Sequence, residues 1–286
     1  MSSSAAAESE SVKIALPAFL DEKQFALMGV VNVTPDSFYD GGRYDTLDTA
    51  CAHARQLLRE GADILDIGGE SSRPGSLPVS VTEELRRVIP VITQLRSETA
   101  VPISIDTAKA AVAREALAAG ATWINDISAG RFDPDMAPLA AENQCPIVLM
   151  HSRKRPETMQ QDPSYHNVVR EVIDELLDSV GKFVDCGVLR ENIVLDPGIG
   201  FAKRFEDNCI LLRRLAELVR TGFPVLIGTS RKSFVGQITG KETADRLYGT
   251  LGSVAAAYIH GAKLFRVHDI AATKELLQVL STIEQT

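Results

Sequence analysis

The chain has 286 residues, 45% of them hydrophobic, and a formal net charge of −8. This length can bury a large core, either as one α/β domain or as two smaller ones. The negative charge argues against a protein that binds nucleic acid non-specifically. No apolar run approaches the length of a membrane span, and the first residues lack the basic and apolar regions of a signal peptide. We therefore expect a cytoplasmic protein that binds neither nucleic acid nor a membrane.

Apolar runs alternate with longer amphipathic segments along most of the chain. Residues 1–11 are small and polar and are expected to form a disordered tail. The run VKIALPAFL from Val12 is expected to form a strand or hairpin that closes the bottom of a barrel. Eight β-rich runs follow, beginning at Ala26, Ala62, Pro102, Thr122, Pro146, Asn192, Pro224 and Lys263. Near-continuous apolar runs of this length are typical of parallel strands buried on both faces.

Helix signals fill the segments between these runs. The tetrapeptide SVTE at 80–83 is a capping box and predicts the start of a helix. Glycines stand where a helix should end and the next run begins, at Gly61, Gly120, Gly187, Gly222 and Gly261. Eight strand–helix units predict a single-domain (β/α)8 TIM barrel of the α/β class over residues 12–286. An open doubly wound sheet is the main alternative, but it favours a glycine fingerprint after the first strand, and NVTPDSF is not one.

Polar side chains stand at the end of nearly every predicted strand, which is where a barrel places its chemistry. They are Asn32, Asp66, Asp106, Asn125, Asp126, His151, Asp196, Thr229, Arg231, Lys232, Arg266 and His268. A buried polar group without a partner costs roughly 1–3 kcal/mol, so this many strand-end polar residues indicates one convergent site. The simpler interpretation, that a residue only caps a helix, is an alternative for Asp126 and for Asp66.

The basic residues predict an anion site. Arg266 and His268 are two residues apart and share a strand face, and Lys232 is expected nearby. This cationic corner suits a phosphate or pyrophosphate, and a salt-bridged rim is the alternative.

The acidic residues predict a site for a flat ligand. Asp106, Asp196 and Asn125 can accept hydrogen bonds from several N–H donors, because each carboxylate can accept two parallel bonds. A metal cage and a catalytic carboxylate pair are the alternatives.

Eight motifs in order resemble those of the dihydropteroate synthase family. They are GVVNVTPDSF, GGESSRPGS, ISIDT, INDIS, LMH with PETMQ, LDPGIGF, TSRKSF and FRVHD, between about residues 28 and 269. The resemblance implies a (β/α)8 fold, Mg2+, a homodimer and sensitivity to sulfonamides. It also implies the reaction of 6-hydroxymethyl-7,8-dihydropterin pyrophosphate with 4-aminobenzoate, which gives 7,8-dihydropteroate and pyrophosphate in folate biosynthesis.

The resemblance also implies roles for individual residues. The pterin would contact Asp106, Asn125, Met150, Asp196, Phe201, Gly228 and Lys232. The pyrophosphate would contact Asn32, Ser72, Arg73, Arg266 and His268, with Asn32 as the Mg2+ ligand. The aminobenzoate would contact Phe38, Pro74, Lys232 and Ser233. Asp40, Arg73 and Lys232 would be the catalytic residues.

The loop after Asn32 would then be a lid that excludes water from a reactive electrophile. Asp36 or Asp40 would carry negative charge toward the reacting carbon, and we favour Asp40. The mechanism implied is dissociative, and the neutral aniline nitrogen needs no strong general base. Ser72 departs from the threonine more frequent in the family, and the stretch Ser152–Arg155 departs from a shorter-side-chain, glycine-containing stretch.

Two other functions share parts of this pattern. A methyltetrahydrofolate-binding methyltransferase domain would share the acidic pterin pocket, but it binds no pyrophosphate. A non-catalytic pterin-binding paralogue would keep the pocket without turnover.

Overall fold

Eight parallel strands form the centre of the part of the chain that the computed structural model describes, which is residues 16–21, 23–34 and 43–286. Their bounds are β1 Ala26–Asn32, β2 Ile64–Gly68, β3 Ile103–Asp106, β4 Trp123–Asp126, β5 Ile147–Met150, β6 Ile193–Asp196, β7 Leu226–Ile227 and β8 Leu264–Val267. Every one of the eight predicted strands is present. The predicted tail at residues 1–11 lies outside the described residues.

The strands form a nearly closed barrel. They are hydrogen-bonded in the order β6-β5-β4-β3-β2-β1-β8-β7. The remaining gap, between β6 and β7, is spanned by a single parallel bridge between Leu195 and Val225. The Leu195 N–H donates to the Pro224 carbonyl at 2.9 Å across the same gap. The prediction of a (β/α)8 barrel is therefore confirmed, and the open sheet is excluded.

Helices surround the barrel in the described residues. They are α1 Leu16–Asp21, α2 Arg43–Glu60, α3 Val81–Glu98, α4 Ala110–Ala118, α5 Met136–Asn143, α6 Val168–Asp185, α7 Phe205–Arg213, α8 Leu215–Val219, α9 Ser233–Thr239, α10 Leu247–Ile259 and α11 Ile270–Gln285. Short 3-10 turns occur at Arg190–Asn192 and Thr243–Asp245. The predicted cap of α3 is present, because the Ser80 side chain accepts the Glu83 N–H at 3.2 Å. None of the helices in these ranges is long and apolar enough to cross a membrane.

The bottom of the barrel is closed by α1, so the prediction of a strand or hairpin there is wrong over residues 16–21. Leu16, Phe19 and Leu20 are spaced three and four residues apart and are buried together against the inner side chains of the strands. That spacing suits one face of a helix, whereas a strand would present alternate residues. The ring of Phe19 meets the ring of Trp123 edge-on, with centroids 5.7 Å apart.

Alternate residues of each strand face opposite sides of the barrel wall. The inward side chains near the bottom form one apolar cluster, made of Ala26, Met28, Ile64, Trp123, Val148, Val194, Leu226 and Leu264 together with α1. Their outward neighbours, such as Leu27, Leu65 and Ile124, belong to the core shared with the helices. Toward the carboxyl ends of the strands, the inward positions become mostly polar, and these positions form the candidate site.

Candidate active site

The period of two along a strand determines which polar residues converge inside the barrel. The inward positions nearest the carboxyl ends are Asn32, Asp66, Asp106, Asn125, Met150, Asp196, Gly228 and Arg266. Strand register reinforces this placement, because Asp106 is paired with Asn125 and Met150 is paired with Asp196. The structure thus brings five residues of the predicted pterin set together with two of the predicted pyrophosphate set. The five are Asp106, Asn125, Met150, Asp196 and Gly228, and the two are Asn32 and Arg266.

Arg266 ties two carboxylates together at the centre of this site. Its Nε donates to Asp66 Oδ2 at 2.6 Å, and its Nη2 donates to Asp106 Oδ2 at 2.7 Å. Asn125 Nδ2 also donates to Asp66 Oδ2, at 3.0 Å. Asp66 is fully buried and accepts from both side chains, whereas the sequence also allows it to be a helix cap. Its position two residues after the inward Ile64 is the signal that places it inside the barrel instead.

The two predicted pterin carboxylates lie in an environment that favours their neutral form. Burial raises the pKa of Asp106 to about 7, although the Arg266 guanidinium opposes the shift. Burial also raises the pKa of Asp196, against the opposing effects of Lys232 and of the Gly198 N–H. That N–H donates to Asp196 Oδ1 at 2.7 Å. Asp106 can therefore change protonation state in response to a bound ligand.

Lys232 and Phe201 face each other beside Asp196. The Lys232 ammonium donates to the Ile199 carbonyl and lies 4.6 Å from the centroid of the Phe201 ring. Burial lowers the pKa of Lys232 to about 8. A Cβ added at Gly228 would lie 4.0 Å from Lys232 Nζ, so the glycine leaves the adjoining space open.

The predicted cationic corner is less positive than its composition indicates. Arg266 is already paired with two carboxylates, as described above. His268 Nδ1 lies 2.9 Å from Ser230 Oγ, and burial beside Arg266 lowers the pKa of His268 to about 4. His268 is therefore neutral near pH 7 and offers a hydrogen bond rather than a charge to an anion.

The loop after β2 carries Ser72, Arg73 and Pro74 above the barrel mouth. Arg73 and Pro74 are exposed, and Ser72 is half-buried. The Gly75 N–H donates to the Pro156 carbonyl at 3.0 Å, which joins this loop to the loop after β5. Ser72 and Asp106 line one pocket, which encloses about 540 Å³ together with its open mouth. Arg73, Pro74 and the exposed Ser233 are not part of that lining.

The predicted lid cannot be compared with the structure. Phe38, Asp36 and Asp40 lie outside the described residues, and only Asn32 at the end of β1 is included. Asn32 is half-buried and faces inward, and the described ranges contain no cluster of three or more His, Cys, Asp or Glu residues that could hold a metal. Mg2+ commonly uses one or two protein oxygens and completes its shell with phosphate oxygens and water, so the Asn32 carboxamide fits such an ion when a pyrophosphate is bound.

Two strand-end residues face outward and serve the scaffold. Asp126 accepts the N–H groups of Ser128 at 2.8 Å and Gly130 at 2.6 Å, which shapes the loop after β4. Asp126 is therefore structural, but it caps the turn after β4 rather than a helix, since α5 begins only at Met136. His151 contacts Glu175 of α6 with 3.1 Å between His151 Nε2 and Glu175 Oε2.

The unusual basic stretch after His151 is engaged by its own surroundings. Arg153 donates to Glu171 and Glu175 of α6 and stacks 4.1 Å above the ring of Tyr165. Arg155 stacks 4.5 Å above the ring of Phe132. The positive charges of Arg153 and Arg155 are therefore engaged within the loop and by α6, although Arg155 also lines the pocket that contains Asp106.

The acidic, amide-bearing inner edge at the upper end of this (β/α)8 barrel suits a flat ligand with several N–H donors, as a pterin has. Residues 28–268 match the family described as pterin binding enzymes, and the chain belongs to that family. The dihydropteroate synthase of Synechocystis sp. is 47% identical over 262 residues, which are 91% of each chain. Within the pterin-binding enzymes, the chain belongs to the dihydropteroate synthases, which are transferases of folate biosynthesis.

Solved structures agree with this assignment. The dihydropteroate synthase of Xanthomonas albilineans with 4-aminobenzoic acid has a TM-score of 0.87 and 45% identity, and covers 91% of this chain and 93% of that one. The Yersinia pestis enzyme in a sulfonamide drug complex has a TM-score of 0.86 and 39% identity, over 91% of this chain and 94% of that one.

Proposed function

We propose that this chain joins 6-hydroxymethyl-7,8-dihydropterin pyrophosphate to 4-aminobenzoate and releases 7,8-dihydropteroate and pyrophosphate. The observation that carries the proposal is the inward edge formed by Asp106, Asn125 and Asp196 inside the barrel. The amino-pyrimidinone side of a pterin presents several N–H donors in one plane, and buried carboxylates and an amide are suitable acceptors.

The remaining pterin contacts complete a slot for the ring system. Met150 and Phe201 are buried in one small apolar cluster and would cover the faces of the ring. Gly228 would let the ring approach the backbone, and Lys232 would donate to it. Because Arg266 already shares Asp106, pterin binding rearranges an existing ion pair rather than filling an empty charged site.

The pyrophosphate would leave from the mouth of the barrel. The C–O bond at the pterin methylene breaks first, and its electron pair leaves with the pyrophosphate. Arg266, the neutral His268, Ser72 and the exposed Arg73 would donate hydrogen bonds to the departing oxygens. Mg2+, held by Asn32 and phosphate oxygens, would neutralise charge on the leaving group.

The aminobenzoate nitrogen then forms the new C–N bond with its lone pair and loses one proton. The amine is neutral near pH 7, so no strong base must activate it. Lys232, Ser233, Pro74 and Phe38 would hold the second substrate. Asp40 of the lid would stabilise positive charge on the methylene carbon.

Three further proposals follow from family membership. Sulfonamides should inhibit by occupying the aminobenzoate position, as the Yersinia pestis complex suggests. The chain should act in the cytoplasm.

The chain should also form a homodimer through the outer side of α10, where Tyr248 is 84% exposed and Ile259 is 60% exposed. Analytical ultracentrifugation of the parent and of Tyr248→Glu tests the dimer.

Pyrophosphate release tests the reaction directly. Purified protein with the pterin pyrophosphate and Mg2+ should release pyrophosphate and form dihydropteroate only when aminobenzoate is added. Asp106→Ala should abolish both. Pterin binding without product would favour the non-catalytic paralogue, and a sulfamethoxazole inhibition constant far above the KM for aminobenzoate would contradict the second-substrate assignment.

A further inference from the structure

Lys203 is a buried lysine without an anionic partner. It lies in the loop between β6 and α7 and is 2% exposed. Its Nζ donates to His151 Nδ1 at 3.0 Å, to the His151 carbonyl at 3.3 Å and to the Phe201 carbonyl at 3.0 Å. In the described part of the chain it makes no ion pair with a carboxylate.

This arrangement is costly for the folded state. Burial lowers the pKa of Lys203 to about 7, with the opposing charge of Asp196 too distant to form an ion pair. A buried cation that lacks a counter-ion reduces stability, because neutral acceptors replace only part of its hydration. Lys109, a half-buried lysine after β3, instead contacts both Glu70 and Glu84. Stability alone therefore does not account for Lys203.

The contacts of Lys203 join the loop that carries Phe201 to the end of β5. Gly198 is in the left-handed region at φ +67°, and a Cβ there would lie 2.1 Å from the His151 carbonyl oxygen. The loop therefore passes close to the backbone of His151. Lys203 donates to the His151 carbonyl and to the Phe201 carbonyl of the loop, so it links the two segments. On the pocket side, the Ile199 carbonyl of the same loop accepts from Lys232.

The hydrogen bond from Lys203 also fixes the state of His151. Burial and the Lys203 charge lower the pKa of His151 to about 3, so its ring is neutral. Its Nδ1 accepts from Lys203, which leaves the proton on Nε2 to donate to Glu175. The loop is thereby connected through His151 to helix α6.

We propose that Lys203 is a positioning residue for the pterin substrate, holding the loop at 198–203 so that Phe201 and the Ile199 carbonyl stay in register with Lys232 and Asp196. This inference rests on the proposed function, because it assigns Lys203 to the pterin side of the same reaction. Lys203 makes no contact with the reacting atoms.

Its charge has a second effect, on Asp196. The cations that face Asp196 are Lys232, Lys203 and Arg266, and together they oppose the rise that burial causes in its pKa. Lys203 itself faces Asp196 and Glu175 as anions and Lys232 and Arg153 as cations. Removing the Lys203 charge should raise the pKa of Asp196 further, so that Asp196 becomes protonated at a higher pH.

Lys203→Met tests the proposal with pteroic acid as the probe. We expect the dissociation constant, measured by fluorescence titration, to rise by about tenfold or more, which corresponds to one lost set of charged hydrogen bonds. The acid limb of binding should move to higher pH than in the parent. The melting temperature should be unchanged or higher, since a costly buried charge has been removed.

Matched variants separate the charge from the hydrogen bonds and from the fold. Lys203→Gln keeps donors without the charge, so it should bind better than Lys203→Met near pH 8 yet show the same shifted acid limb. Lys109→Met leaves Glu70 and Glu84 unpaired and should lower the melting temperature. Lys182→Met, on the exposed side of α6, should match the parent in both measurements.

The outcomes distinguish this inference from the proposed function. A parent protein that fails to bind pteroic acid would overturn the proposed function itself. A parent that binds, with Lys203→Met and Lys203→Gln showing the parent's affinity at every pH, would overturn the positioning role alone. A large fall in the melting temperature of both variants would show that Lys203 is a stabilising residue and would overturn it as well.

Discussion

Arg266 acts through the shape of its side chain as much as through its charge. Its Nε and Nη2 reach Asp66 and Asp106 separately, at 2.6 and 2.7 Å. A lysine has one nitrogen and cannot hold both carboxylates in this geometry. Arg266→Lys should therefore lower kcat/KM for the pterin pyrophosphate by roughly 10- to 100-fold, the equivalent of about 1.5–3 kcal/mol for a hydrogen bond to a charged group.

Arg55→Lys is the matched control for that substitution. Arg55 also uses two nitrogens, each 2.7 Å from an oxygen of Glu98, but the pair lies on the outer helices and is exposed. Exposed ion pairs contribute about 0–1 kcal/mol, so steady-state kinetics of Arg55→Lys should match those of the parent. Equal losses in the two variants would mean that the guanidinium geometry inside the barrel has no special role.

We predict that Asp106 makes pterin binding dependent on pH near neutrality. Because burial raises its pKa to about 7, a fall in pH protonates it within the working range. The protonated carboxyl loses one acceptor and gains an O–H, which weakens binding of a ligand that presents N–H donors. The dissociation constant of pteroic acid should therefore rise as the pH falls from about 8 to about 6.

Asp106→Asn isolates that effect, because its side chain is neutral at every pH. It should bind pteroic acid weakly throughout and show a smaller pH dependence than the parent. Any titration of pteroic acid itself affects both proteins equally, so it cancels in the ratio of their dissociation constants. Identical pH profiles for the two proteins would assign the dependence to Asp196 or to the ligand.

Gly198 allows the loop between β6 and α7 to pass close to the backbone of His151. A Cβ at Gly198 would overlap the His151 carbonyl oxygen at 2.1 Å, and the backbone there is left-handed. Gly198→Ala should displace the loop and Phe201, raise the KM for the pterin pyrophosphate and lower the melting temperature. Gly222 is also left-handed, at φ +82°, but a Cβ there meets nothing within 4 Å. Gly222→Ala should cost only about 1 kcal/mol of backbone strain and leave the KM unchanged.

The strands also show what the sequence could predict. The eight apolar runs located every strand, and the period of two separates inward residues from outward ones. Counting two residues on from Ile64 gives Asp66 as an inward residue, and counting two on from Ile124 gives Asp126 as an outward one. That count would have added Asp66 to the predicted site, where the capping interpretation left it out.

Counting residues along a strand could not predict that Arg266 is the partner of Asp66. Arg266 is 200 residues away along the chain and meets Asp66 only because β8 pairs with β1 when the barrel closes. Sequence spacing grouped Arg266 with His268 as a cationic corner, and it could not show that two carboxylates already occupy the guanidinium. Helix α1 was not predicted because a mainly apolar segment of six residues is compatible with both a helix and a strand.

The two ends of the barrel interior differ in polarity. The lower interior and α1 form one apolar cluster, whereas the inward positions at the upper end are charged or polar except for Met150 and Gly228. Buried polar groups cost stability unless they are paired, and the lower cluster supplies apolar burial that offsets this cost. Substitutions at the two ends should therefore affect different measurements.

Phe19→Ala tests this division at the lower end. Phe19 is 8% exposed and packs edge-on against Trp123, far from the polar mouth. The truncation should lower the free energy of unfolding by about 3 kcal/mol and the melting temperature by roughly 6–12 °C. The KM for the pterin pyrophosphate, measured well below that melting temperature, should stay at the parent value. Ile283→Ala, at a position 65% exposed on α11, is the control and should leave both quantities unchanged. The inward side chains of the strands pack directly on the apolar cluster that contains α1. A raised KM in fully folded Phe19→Ala would therefore show that packing in this cluster affects the geometry of the upper end.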